Sequence, residues 1–279
     1  MSTSKEIEKM HKDNVTMYSA AALSFFLLYI PSWIRMWERW FARDSYYSHG
    51  VLIPLVSIFL LLQQRKELSQ MLRYSSRWGL PLIILGCTVH VVSSLFRVNF
   101  VSGFSMLITL AGLILHFAGG VFLKKILFPI GFLVFMIPLP EVVITNLSIN
   151  LKFFAASVAA TILNQIRLPA IQAGSLIKME SSYVVVDDVC SGLRSLISLI
   201  ALASIFSYWL KGHIWKKIFV VISAIPLAVV TNTIRIVFLA SVSEIWGAQY
   251  ATGFLHDLSG FLVFGIAFLL LHAVVQLIE

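Results

Sequence analysis

What most constrains this chain is the succession of apolar runs along it. Residues 17–34, 49–64, 78–96, 101–122, 124–143, 190–210, 216–240 and 253–277 are each long enough, or nearly so, to cross a bilayer, and short polar connections join them. A membrane-spanning helix needs about 20 mostly apolar residues, with about 17 as the lower limit. A water-soluble fold cannot hide so many such runs. Of the residues, 59% are hydrophobic and 12% charged, against about 25% charged in a soluble domain. The same figures exclude disorder and, with only two cysteines, a disulfide-stapled secreted module. The expected fold class is an all-α polytopic integral membrane protein of about eight transmembrane helices, forming a single domain over residues 1–279. Pro54 and Pro226 fall inside two of the runs, where bilayer helices accept proline if neighbours satisfy the freed carbonyl.

The segment 146–165 reads differently. Asn146, Asn150, Lys152, Asn164 and Gln165 flank an apolar middle, a pattern that predicts a helix lying in the interface and not a span. Basic residues then set the orientation. With residues 1–16 in the cytoplasm and eight spans, Lys5, Lys9, Lys12, Arg65, Lys66, Arg73, Arg77, Lys124, Lys125, Lys211, Lys216 and Lys217 fall inside. Arg35, Arg39, Arg43, Arg97, Lys152, Arg167 and Lys178 fall outside, and Arg194 and Arg235 lie within spans. The inner set is the larger. A crossing by 146–165 would move the Lys211–Lys217 cluster outside. The net charge of +8 is therefore a topology signal; no clustered basic patch marks a nucleic-acid partner. The first sixteen residues are polar and the run after them is long enough to stay as an anchor, so no cleavable signal peptide is expected. Within 166–189, an extracytoplasmic loop in this topology, Ser175-Leu176-Ile177-Lys178-Met179-Glu180 and, after Ser181-Ser182, Tyr183-Val184-Val185-Val186 predict a short β-hairpin on the outer face. That hairpin delivers the chain to Cys190.

Three segments carry chemistry. Cys190-Ser191-Gly192-Leu193-Arg194 opens the sixth run. A cysteine in the first turn of a helix has its thiolate stabilised by the macrodipole, and Arg194, four residues on, adds positive charge on the same face. Asn232 and Arg235, three apart, share a face of the seventh run. An arginine inside a span costs about 2.5–3.5 kcal/mol on insertion scales, so it turns to the bundle interior or a wet cavity. His256, between Gly253 and Gly260, starts the last run and can act as base and acid near neutral pH. Cys190, Arg235 and His256 thus fall at the outer ends of three consecutive spans: a thiol, a cation and a base, the parts that acyl transfer needs. One Cys and one His leave too few ligands for a metal, and no cofactor is expected. Cys87, inside an apolar run, is a small buried hydrophobe. The segment from Asp44 to Leu55, with Tyr46, Tyr47 and His49, reads on physics alone as an interfacial aromatic belt with a polar turn.

Taken together, these residues resemble the exosortases of the exosortase/archaeosortase family, polytopic membrane cysteine transpeptidases. The resemblance runs from Tyr47-Ser48-His49-Gly50 to the last span and is most specific at Cys190-Ser191-Gly192-Leu193-Arg194, Asn232-Thr233-Ile234-Arg235 and His256. It implies Cys190 as nucleophile, His256 as base and Arg235 as the third essential group, with Arg194, Asn232 and His49 in supporting positions. Val189 stands where the family often has a small alanine. The implied partners are exported proteins bearing a C-terminal sorting tail (a Pro-Glu-Pro-like motif, a transmembrane helix and a basic cluster), and the implied setting is the inner membrane of bacteria that secrete exopolysaccharide. Two other classes compete. A transporter would use Arg194 and Arg235 to bind an anionic solute, but no pair of similar halves with broken helices is present. A polysaccharide-assembly enzyme would need acidic groups gathered in a large outer loop, whereas Glu38, Asp44, Glu141, Glu180, Asp187, Asp188, Glu244 and Asp257 are scattered.

Overall fold

A computed structural model describes residues 16–42, 45–72, 74–187 and 191–279. The chain forms two compact units: residues 1–42 with 48–138, and residues 43–47 with 139–279. The helices of the first unit are α1 (Thr16–Leu28), α2 (Ile30–Trp40), α3 (Leu52–Gln63), α4 (Arg65–Gln70), α5 (Gly79–Leu95), α6 (Asn99–Lys125) and α7 (Leu127–Phe132). The second unit holds α8 (Glu141–Gln165), α9 (Leu193–Trp209), α10 (Ile214–Trp246), α11 (Ala248–Ala251) and α12 (Phe254–Ile278), with strands β1 (Ile171–Ala173), β2 (Leu176–Lys178) and β3 (Tyr183–Val185).

Among the described residues, four helices (α6, α8, α10 and α12) are long and apolar enough to cross a membrane, and the pair α1–α2, bent by 57°, counts as a fifth if it is one span. Pro31, in the first turn of α2, lacks the N–H that would carry the helix through the bend. At 17 residues each, α5 and α9 are only about 25 Å long at 1.5 Å per residue. The run 124–143 does not form one helix. After α7 the chain tightens into a 3₁₀ turn, Leu133–Met136, and Pro138 and Pro140 then stop it; α8 starts at Glu141. That helix absorbs the end of this run together with all of 146–165, the segment whose polar ends predicted an interfacial helix. Its middle is a stripe of small buried residues, Ala155, Ala156, Ala159 and Ala160, which lets neighbouring backbone approach closely.

One cluster of polar groups inside the first unit pairs internally, as suits a low-dielectric interior. The Tyr29 hydroxyl bonds Thr109 Oγ1 at 2.8 Å and Ser105 Oγ at 3.3 Å. Ser32 and Ser102 share a hydroxyl bond of 2.6 Å, and His90 Nδ1 meets Ser102 Oγ at 2.8 Å. Glycines let α5 and α6 close on this network. A Cβ on Gly86 would sit 2.2 Å from Thr109 Oγ1 and 2.8 Å from the Thr109 backbone nitrogen.

In the second unit α10 is the hub, packed against α8, α9, α11, α12 and β3. Between Gln165 and Asp187 lies a three-stranded antiparallel sheet in the order β1-β2-β3, not a two-stranded hairpin. Ile177 pairs with Val184 across β2–β3. This face of the sheet, with Met179 and Val186, joins the alanine stripe of α8 and Ile236, Val237 and Ala240 of α10 in one apolar cluster. Tyr183 and Val185, on the opposite face, are exposed.

The close α5–α6 contact yields a test. Gly86→Val should destabilise the protein by about 1–3 kcal/mol and lower its thermal unfolding midpoint in detergent. Gly131→Ala, where an added Cβ has no neighbour within 4 Å, should leave the midpoint unchanged. Equal midpoints for Gly86→Val and the wild type would contradict this packing.

Candidate active site

Arg235 lies on α10 with 7% of its surface exposed. Its guanidinium is held by the first turns of α12. Nε donates to Ser259 Oγ at 3.1 Å, and Nη2 donates to the His256 carbonyl at 3.0 Å. Nη2 also lies 3.3 Å from His256 Nε2. Because a guanidinium only donates, that contact requires Nε2 to carry its lone pair, which puts the imidazole proton on Nδ1. Nδ1 faces Asp257 Oδ1 at 3.5 Å, the long end of hydrogen bonding. Ser259 in turn donates to the His256 carbonyl at 2.7 Å. Arg235 Nη1 takes part in none of these bonds.

The two glycines flanking His256 act differently. A Cβ on Gly260 would lie 3.4 Å from Arg235 Nη2, an ordinary contact distance, which shows that the guanidinium lies directly against this part of α12. Gly253 has open space around it but a φ of +64°; it supplies the left-handed turn that starts α12 and presents His256. The His256 side chain is 28% exposed and Asp257 79%, so the imidazole is reachable while the arginine is enclosed.

The expected nucleophile, Cys190, lies outside the described residues, as do Asp188 and Val189. The residues that follow it are placed. α9 begins at Leu193, and Gly192, with φ +78°, is its N-cap. α9 thus starts after a left-handed glycine, and the expected opening of a helix at Cys190 falls outside the described residues. Gly192 is needed for contact as well as for φ. A Cβ there would meet Asn232 Cγ and Nδ2 at 2.9 Å. Asn232, 4% exposed, therefore lies directly under the chain two residues after the thiol position. Ser191, Gly192 and Asn232, with Leu151, Ala155 and Ala228, line a cavity of about 10 Å³, room for about one water.

Arg194, in the first turn of α9, has a buried Nε with no hydrogen-bond partner. His49 lies in the 3₁₀ turn Ser48–Val51 of the first unit. The stretch before it is not an exposed belt: Tyr47 is 6% exposed and its hydroxyl accepts the Leu139 N–H at 3.2 Å, while Tyr46 bonds Ser148 at 3.1 Å. Among the described residues no three His, Cys, Asp or Glu side chains gather as a metal site. Two contributors were not singled out from sequence. Ser259 stands three residues after His256, a spacing that puts both on one helix face. Glu244 bonds the β2–β3 turn.

Residues 33–273 match the family described as Transmembrane exosortase (Exosortase_EpsH). The chain belongs to the transmembrane exosortase family. It is a multi-pass membrane protein, mostly helical, and its family match spans both compact units. Searches among curated proteins and among solved structures return no match.

The three-point hold on Arg235 makes a prediction for this exosortase-family protein. A lysine is one point charge on a flexible stem and cannot reach Ser259, the His256 carbonyl and His256 Nε2 together. Arg235→Lys should therefore lower the thermal unfolding midpoint in detergent, nearly as far as Arg235→Ala does. Arg194→Lys should be milder, because a role through charge alone tolerates either cation. A wild-type midpoint for Arg235→Lys would refute the geometric role.

Proposed function

We propose that this chain is a membrane-embedded cysteine protease and transpeptidase that cleaves C-terminal sorting tails from exported proteins, at the extracytoplasmic face of the inner membrane. The observation that carries the proposal is the Arg235–His256 contact, in which a buried cation holds an imidazole with its proton on Nδ1 and its Nε2 as acceptor. Membership of the exosortase family supports it, and so does the packing of Gly192 on Asn232, which ties the chain following Cys190 to the helix that bears Arg235.

In this reading Arg235 Nη2 keeps its bond to the His256 carbonyl while His256 Nε2 exchanges the Arg235 N–H for the Cys190 thiol proton, and the thiolate attacks the scissile carbonyl. The oxyanion that forms needs a fixed positive donor. Arg235 meets that need, since Nε and Nη2 are anchored on α12 and Nη1 is left over for the reacting oxygen. Once protonated, His256 stands as a cation beside the guanidinium. This like-charge contact favours passing the proton on to the leaving amine. The tail departs with a new N-terminus, and the exported protein remains as a thioester on Cys190. Attack by water or an amine then releases it and regenerates the thiol. Arg194 and Asn232 are supporting groups in this scheme, and lipid is the solvent that the apolar helices require.

Cys190→Ala should abolish cleavage with expression intact, and Cys87→Ala should have little effect. Cys190→Ser should retain only a trace, because a hydroxyl is a far weaker nucleophile. Mass spectrometry of secreted proteins from cells with and without the enzyme reads the outcome as new C-termini. Normal processing by Cys190→Ala would overturn the proposal.

A further inference from the structure

Glu244 is a buttress at the far end of α10. Its two carboxylate oxygens take separate donors from consecutive residues of the β2–β3 turn: Oε1 accepts the Ser181 N–H at 2.9 Å and Oε2 accepts the Ser182 hydroxyl at 2.7 Å. The contact joins positions more than sixty apart in sequence. Charge-assisted bonds of this kind are about twice as strong as neutral ones.

What these bonds fix follows from helix geometry. Arg235 and Glu244 are nine residues apart, so at 3.6 residues per turn they point about 180° from each other. Asn232 and Arg235 face Gly192 and α12, whereas Ile236, Val237, Ala240 and Glu244 form the stripe against the sheet. The sheet is itself the lead-in to the nucleophile. Val186, just after β3, is 1% exposed and its N–H bonds the Ser175 carbonyl at 2.9 Å. The chain is thus held to one helix at Val186, through the sheet and Glu244, and again at Gly192, on Asn232. The apolar stripe gives adhesion without direction. The bidentate carboxylate sets the register in which hairpin and helix meet.

We infer that Glu244 is a positioning residue: by clamping the Ser181–Ser182 turn to α10 it sets where Val186, four residues before Cys190, lies relative to Arg235. The inference rests on the protease reading above. It is tested in the full-length protein in membranes, with a reporter carrying a Pro-Glu-Pro motif, a transmembrane helix and a basic cluster. Glu244→Ala should lower kcat about tenfold through misalignment, with KM changed less than about twofold. Glu244→Gln, which keeps a carbonyl oxygen for these donors, should stay within about threefold of wild type. Ser182→Ala should fall between them, and adding it to Glu244→Ala should cause no further loss, since both remove one interaction. Iodoacetamide alkylation of Cys190, read by mass spectrometry, should slow in parallel with kcat while Cys87 labelling is unchanged; general unfolding would raise Cys87 labelling instead. Wild-type kcat for Glu244→Ala, multiplicative losses in the double variant, or a change in KM alone would each overturn the inference. If Glu244→Ala fails to accumulate, Glu244→Gln and Ser182→Ala decide by the same readouts. Cleavage by Cys190→Ala, run alongside, would instead overturn the reading beneath it.

Discussion

A buried guanidinium organises the second unit. Arg235 sits in a helix that must live in an apolar medium, where an unpaired charge is costly. Its partners are neutral: a serine hydroxyl, a backbone carbonyl and an imidazole nitrogen. The nearest acid on α12, Asp257, is largely exposed and faces the other imidazole nitrogen. Neutral acceptors satisfy the donors without cancelling the charge. The site therefore keeps a net positive field, which a developing oxyanion would feel and which low dielectric would strengthen. A carboxylate partner would have stabilised the fold and weakened the chemistry.

The same contacts explain the local architecture. α12 must begin where its first turn reaches Arg235, so Gly253 turns the chain there with a positive φ, and the guanidinium lies directly against α12 at Gly260. α9 must approach α10 at Asn232, and Gly192 makes that approach possible by having no Cβ. α10 accordingly carries Asn232 and Arg235 on one side and the sheet on the other. One rigid helix thus relates parts of the site that lie far apart in sequence, and rigid elements hold such constellations better than loops do.

Much of this was legible in the sequence for physical reasons. Asn232 and Arg235 are three apart in an apolar run, a spacing that places both on one buried face whatever the packing, and His256 follows a glycine at the start of the last run. Other features depend on pairings that no local pattern encodes. Gly192 looks, in sequence, like a residue within a helical turn, yet α9 begins after it; its contact with the Asn232 side chain comes from another helix and leaves no local mark. The polar ends of 146–165 suggested an interfacial helix, yet the prolines at 138 and 140 move the helix start to Glu141, and the alanines pack on the sheet. The run 171–173 pairs with β2 as a third strand, a partner invisible without the fold. Glu244 looked like one scattered acid among several until the turn that it holds was placed 62 residues away.

The most direct test of the account is the chemical form of the reaction product when hydroxylamine is present. A thioester on Cys190 is attacked by this small nucleophile, whereas a hydrolysis that never passes through the sulfur is not diverted. Membranes bearing the full-length protein should therefore release the tail-bearing reporter with a hydroxamate at its new C-terminus, and membranes bearing Cys190→Ala should release nothing. Reporter cleaved by the wild-type protein in hydroxylamine, yet ending only in a free carboxylate, would contradict a cysteine acyl-enzyme.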